Sequence, residues 1–254
     1  MVETLNRISH IQPLEKRRSL RETTINERQN LTGWYPFHSE DPSSYDLSFK
    51  RVLGETAISD LLKDRKAKGR TTFVLDVMSP GNILRGLSKL QPLDGGVSIT
   101  LGDGRTHLAI ERDSASNLSV IEGNILLKRT WRKAQEWIDQ QGVDGFDLIM
   151  CRAVGGFDSI PINDDLYYYL LNRAWVMLSG QRGIILTQIP IGCWKVGVGE
   201  WVENINMIQG IEAVYGPKRG DEHPNEFIPA TLKMIKSHEA PSTLPVVLPF
   251  GRAY

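Results

Sequence analysis

The stretch Val74-Leu75-Asp76-Val77-Met78-Ser79-Pro80-Gly81-Asn82-Ile83-Leu84-Arg85, "VLDVMSPGNILR", decides how the chain is read. A β-branched apolar run ends on an acid, passes through a Pro-Gly turn and continues into helix-forming residues. Strand, tight turn and helix in that order make the first half of a βαβ unit. In open α/β sheets, ligands lie beyond the carboxyl ends of such strands. A dinucleotide fingerprint would need G-x-G-x-x-G at this turn, and a P-loop would need G-x-x-x-x-G-K-[ST]. Neither is present, so a phosphate-bearing ligand is not expected.

Outward from this stretch the same rhythm repeats. "TTFVLDV" (71–77), "GVSITLGD" (96–103), "NLSVIEGN" (117–124), "GFDLIMCR" (145–152) and "RGIILTQIP" (182–190) are short, near-continuous apolar runs bounded by turn residues. That pattern predicts parallel strands covered on both faces. Between them, Leu127, Trp131, Ala134 and Ile138, and then Leu166, Leu170, Ala174 and Met177, recur at helical spacing. "GIEAVYG" (210–216) and "ATLKMIKS" (230–237) read as the last strands, the second at or near an edge. The prediction is an α/β fold: a doubly wound, mostly parallel seven-stranded sheet, helices on both faces and an antiparallel strand near one edge. Residues 1–45 are expected to be an N-terminal extension, serving as a lid, and 46–254 the Rossmann-like domain. Within 33–46, "GWYPFHSEDPSSYD" reads as an ordered aromatic loop. Ile58, Leu61 and Leu62 predict a helix ending near Gly69.

The 254-residue chain carries 30 basic and 30 acidic side chains, so no global field draws it to nucleic acid or anionic lipid. Its 41% hydrophobic and 24% charged residues are an ordinary globular mix. Cys151 and Cys193 have no CxxC spacing and make no disulfide framework. No apolar run reaches the ~18 residues a membrane helix needs. Acidic residues among the basic ones at the N-terminus argue against a signal or transit peptide. A cytoplasmic protein is expected, with nucleic acid an unlikely partner.

The order of motifs resembles the class I, Rossmann-like S-adenosylmethionine-dependent methyltransferases. In that family the first strand ends in an acid and a turn of the type D-x-G-x-G-x-G. Asp76 matches the acid and Gly81 keeps the turn, whereas Met78, Pro80 and Asn82 stand where the glycines are expected. The second strand typically ends in an acid that accepts from the ribose hydroxyls; Asp103 closes "VSITLGD". The third is typically followed by Gly-Asp facing the adenine amine; here Gly123-Asn124 follows, and the Asn carbonyl keeps the acceptor. "FDLIMCRAVGGF" and "MLSGQRGIILTQIP" resemble the family's fourth strand, glycine turn and fifth strand. The likeness covers about residues 70–236 and implies S-adenosylmethionine as cofactor. It implies Asp76, Met78, Ser79, Gly81, Asp103, Gly123, Asn124 and Cys151 as the residues around it. Ser79 would meet the methionine carboxylate, and Asn82 would cap the following helix. The alternative for Asp103 is a turn with Gly104, and for Asn124 a helix cap.

Methyl transfer needs alignment and water exclusion more than a fixed catalytic set, and no catalytic residue is singled out. The [DNS]-P-P-[FYW] signature of amino-methylating enzymes is absent after the fourth strand. Lys50, Asp158, Lys195 and Glu239 offer a Lys-Asp-Lys-Glu set of the RNA 2′-O type only on paper, among many equivalent residues. Asp221, Glu222, His223 and Glu226 read as a solvated loop, so no metal is expected. His107 reads as a helix-surface residue, and the cysteines as small buried hydrophobes. Arg152, Phe157, Trp194, Trp34 and Tyr35 are the acceptor-pocket candidates, with a small-molecule or peptide-like acceptor. The alternative is a non-catalytic binding or scaffold protein of the same fold, motivated by the missing glycines.

Overall fold

The computed structural model describes residues 41–79, 81–100, 117–152, 164–189, 198–216 and 230–245. Among the described residues, two helices, α1 (Ser43–Leu53) and α2 (Ile58–Ala67), precede the first strand, β1 (Phe73–Val77). Then follow α3 (Asn82–Leu90), β2 (Gly95–Thr100), β3 (Leu118–Glu122), α4 (Lys128–Gln140) and β4 (Leu148–Cys151). The chain continues with α5 (Asp164–Met177), β5 (Gly183–Gln188), α6 (Val198–Asn206), β6 (Ile211–Gly216) and β7 (Thr231–Lys236). The seven strands form one sheet in the order β3-β2-β1-β4-β5-β7-β6. Only β7 runs antiparallel, between β5 and the edge strand β6. The chain therefore has the doubly wound, Rossmann-like fold that the resemblance to class I methyltransferases implies.

Alternation within the strands sorts the core into two layers. Phe73, Leu75 and Val77 of β1 join Trp131 and Ile138 of α4, Trp175 of α5 and Trp201 and Ile205 of α6. Val74 of β1 turns to the other face, with Leu148, Met150, Ile184 and Leu186, under Phe49 of α1, Leu62 of α2 and Leu84 of α3. Period-2 alternation thus turns a continuous apolar run into contacts for helices above and below.

The end of the 33–46 segment differs from the sequence expectation. Ser43–Asp46, read as loop, is the first turn of α1, which runs across residue 45. Tyr45, Ser48, Phe49, Val52 and Leu53 form its buried stripe. Asp46 also accepts the Ile58 amide at 2.7 Å, tying α1 to the start of α2.

The amino ends of the central strands are held by one buried pair. Arg65 of α2 binds the Asp147 carboxylate before β4, donates to the Arg182 carbonyl at 2.7 Å, and reaches the Thr71 carbonyl at 3.3 Å. Asp147 in turn accepts the Phe73 amide at 2.9 Å. Burial raises the Asp147 carboxyl above its usual range, and the Phe73 amide and the guanidinium oppose that.

Candidate functional site

Strand order reverses between β1 and β4, because β2 and β3 lie on one side of β1 while β4 and β5 lie on the other. This is the switch point at which open α/β sheets leave a crevice beyond their carboxyl ends. Asp76 stands there, fully buried, on the face covered by α1. The Tyr45 hydroxyl donates to both its carboxylate oxygens, at 3.0 and 3.3 Å. The Arg152 guanidinium, just past β4, lies 5.3 Å from the Tyr45 ring centroid. Buried Tyr45, Asp76 and Ser79 and half-buried Arg152 thus form one polar cluster around the end of β1.

Burial dominates its electrostatics. It lifts the Asp76 carboxyl from 3.8 to about 7, against hydrogen bonds from Ser79 and Tyr45 and the charge of Arg152. Burial also pushes the Tyr45 phenol well above its usual value, helped by the Asp76 charge, so Tyr45 remains a donor at any working pH. Arg152 is drawn below its usual value by the same desolvation.

The loop after β1 is pinned to β2. The amides of Met78 and Ser79 both donate to the Ile99 carbonyl, at 2.9 and 3.1 Å, and Ser98 donates to the Ser79 carbonyl. Met78 has φ +67°, a left-handed conformation that a side chain resists. Its position is where the family motif has its first glycine. Gly81 has φ +88° and occupies the N-cap of α3, while the Ser79 hydroxyl accepts its amide at 3.2 Å. Asn82 is therefore the first residue inside α3, and the cap expected of it belongs to Gly81. The turn keeps a glycine-type backbone although only one glycine is left.

At the end of β3, Gly123 is required by packing, since a Cβ there would stand 2.6 Å from the Thr130 hydroxyl. Asn124 is buried, and its side-chain carbonyl accepts the Leu126 amide at 2.8 Å. It closes the turn into α4, whose N-cap is Leu127. The helix cap expected of Asn124 thus falls to Leu127, and Asn124 braces the turn before it. Cys151 ends β4 but packs with the opposite core layer, beside Thr187 in register. Burial pushes its thiol up to about 12, so it stays protonated.

The structure thus unites Asp76, Ser79, Gly81 and Arg152, places Gly123 and Asn124 two strands away, and turns Cys151 to the other face. Asp103, Phe157, Trp194, Trp34, Tyr35, His107, Cys193, Asp158 and Lys195 lie outside the described residues, as do Pro80 and the Asp221–Glu226 segment. Tyr45 escaped the sequence reading. Its signal was the i, i+3, i+4, i+7, i+8 spacing of Tyr45, Ser48, Phe49, Val52 and Leu53, starting just after Asp41-Pro42. Among the described residues, no group of three or more His, Cys, Asp or Glu is arranged to hold a metal ion. No helix among them is long and apolar enough to cross a membrane.

No family model matches this sequence, and no curated protein matches it. Among solved structures, the chain is similar to the plantazolicin methyltransferase BpumL in complex with SAH. Identity is 12% and the TM-score 0.49, over 87% of this chain and 98% of that one. It is similar also to SAM-bound CalS10, an amino pentose methyltransferase from Micromonospora echinaspora, at 10% identity and TM-score 0.42 over 76% and 97% of the two chains. A third is the N-methyltransferase NodS from Bradyrhizobium japonicum WM9, at 15% identity and TM-score 0.42 over 70% and 93%.

Proposed function

We propose that this chain is an S-adenosylmethionine-dependent methyltransferase acting in the cytoplasm on a small-molecule or peptide-like acceptor. The observation that carries the reading is the loop from Met78 to Gly81 at the switch point. It is left-handed at Met78 and again at Gly81, beside a buried carboxylate. A side chain held at +67° costs energy that a plain connector has no reason to bear. A ligand lying against the main chain gives that reason.

In this reading Asp76, Met78, Ser79 and Gly81 line the methionine end of the cofactor. Asp103, Gly123 and Asn124 line its adenosine end, while Cys151, on the other face of β4, stays protonated outside this lining. S-adenosylmethionine would supply an electrophilic methyl group. The chain's part is to align the acceptor with it and to exclude water. Arg152 and Tyr45 form the described wall of the acceptor side, and Phe157, Trp194, Trp34 and Tyr35 are proposed to complete it.

The test is equilibrium calorimetry with S-adenosylhomocysteine beside a thermal-shift series with NAD and ATP. At about a hundred times Kd, a bound ligand raises stability by about 2.7 kcal/mol, or on the order of 5–10 °C in a chain of this size. S-adenosylhomocysteine should give such a shift and the nucleotides none; a shift with NAD alone would overturn the reading. The second reading is a non-catalytic methyltransferase-fold binding or scaffold protein. It is favoured by the Met78 side chain, half-buried where the family has hydrogen only. Failure of S-adenosylhomocysteine to bind at all would select it.

A further inference from the structure

Under α1, at the carboxyl end of β5, three strands bring polar groups into register. Gln188 is paired with Thr231 at the start of β7, and Thr231 with Gly216 at the end of β6. Gly216 lacks a side chain, and α1 settles into the gap: a Cβ there would stand 3.0 Å from Arg51 Cβ. Ile184 and Leu186 of β5 belong to the layer packed against Tyr45 and Phe49. Two residues on, Gln188 stands on that same face, the face of Asp76.

Gln188 and Thr231 are both fully buried. Among the described residues, both polar atoms of the Gln188 amide, the Thr231 hydroxyl and Arg51 Nε have no hydrogen-bond partner. Buried polar groups are almost always satisfied, so each exception calls for an explanation. Several clustered in one seam, between a helix and the ligand-bearing edge of the sheet, call for a common one. Apolar side chains of the same shape would make the free protein at least as stable there.

We infer that Gln188, Thr231 and Arg51 form the seat for an amide group of the acceptor. This rests on the methyltransferase reading for its role, though not for its chemistry. Gln188 presents a donor and an acceptor side by side, and a secondary amide answers with the complementary pair. Its carbonyl accepts from Gln188 Nε2 and Arg51 Nε, and its N–H donates to Gln188 Oε1 or Thr231 Oγ1. A carboxylate has no donor for Gln188 Oε1. An ammonium has no acceptor for the two N–H groups and meets the charge of Arg51. A lone hydroxyl is too small to engage both ends of the Gln188 amide. The acceptor is thereby narrowed to a peptide-like molecule. Its entry requires α1 to lift from β5 and β7, against which it packs. Beyond the seat, the Ile189 amide donates to the Ala230 carbonyl at 2.7 Å and closes the rim.

Two isosteric changes, Gln188→Met and Thr231→Val, test the inference in the full chain. Both remove orphaned groups, so the melting temperature should hold or rise by about 2–4 °C. The side-chain amide resonances of Gln188 in the wild type should shift saturably with N-methylacetamide. Methyl acetate, which keeps the carbonyl but lacks the N–H, should act at least tenfold more weakly, and Thr231→Val should weaken the amide response. A clear drop in melting temperature in either variant would show that these groups hold the fold together, and would overturn the inference. An absent shift, or an equal one with the ester, would mean a buried water site and overturn it as well. S-adenosylhomocysteine binding, measured in parallel, reports separately on the methyltransferase reading.

Discussion

Replacing Asp76 with asparagine should remove a pH dependence that the buried carboxyl imposes on the whole domain. Burial raises this group from 3.8 to about 7. At about 1.36 kcal/mol for each pH unit, that difference amounts to about 4 kcal/mol between the protonation states. The sign follows from which state ionises first. Well below 3.8 the carboxyl is protonated folded and unfolded alike, and costs nothing. As pH rises, the unfolded chain ionises while the folded one keeps its proton, so stability falls until the folded group ionises near 7. Between about pH 5 and about pH 8, roughly 2.5 kcal/mol of stability should be lost through this one group. An asparagine at this position has the shape without the titration, and can still accept from the Tyr45 hydroxyl. Urea denaturation of wild type and Asp76→Asn at those two pH values isolates the term, because every other titrating group is shared. The variant should gain on the wild type by about 2.5 kcal/mol at the higher pH. A stability difference that stays constant within about 0.5 kcal/mol would refute the argument, and would mean that water or movement of α1 relieves the burial.

Three further outcomes follow from the same geometry. Tyr45→Phe removes the donor to a buried carboxylate, a bond of about 1.5–3 kcal/mol when the acceptor is charged, so the Asp76 pKa should rise further; carboxyl carbon NMR reads it directly, and an unmoved pKa would clear Tyr45 of the role. Gly81→Ala should weaken S-adenosylhomocysteine binding nearly as much as Gly81→Val, because a left-handed residue costs any side chain about 1–2 kcal/mol; circular dichroism should stay native in both, and full binding by the valine variant would reduce the loop to a connector. Arg65→Met strands the Asp147 carboxylate in the core and should cost about 3–5 kcal/mol in urea denaturation, whereas a loss under about 1 kcal/mol would show that water reaches the carboxylate.

The sheet was legible because it depends on a local quantity. Short apolar runs separated by turn residues and helical stripes specify βαβ units whatever their partners, and handedness limits how such units wind. The loop "VMSPGN" was legible as a turn for the same reason, since Gly81 is the residue that accepts φ +88° there. Its strain was not legible. Met78 takes its positive φ where its amide and that of Ser79 both meet the Ile99 carbonyl of β2, a partner on the far side of α3 in sequence.

Charge and partnership at the site were decided by tertiary structure alone. Asp76 reads in sequence as the acid at a strand end, yet only the packing of α1 over β1 makes it a buried group with a hydroxyl partner. Cys151 and Arg152 are neighbours in sequence, but strand alternation sends them to opposite faces, one beside Thr187 and the other over Tyr45. Gln188 and Thr231 look in sequence like ordinary polar strand ends. They become a buried pair because β7 inserts antiparallel between β5 and β6 and sets them side by side under α1. Periodicity along the chain fixes which elements form and which faces are apolar. Burial and hydrogen-bond partnership depend on contacts distant in sequence, and those exist only once the sheet has closed and the helices have packed on it.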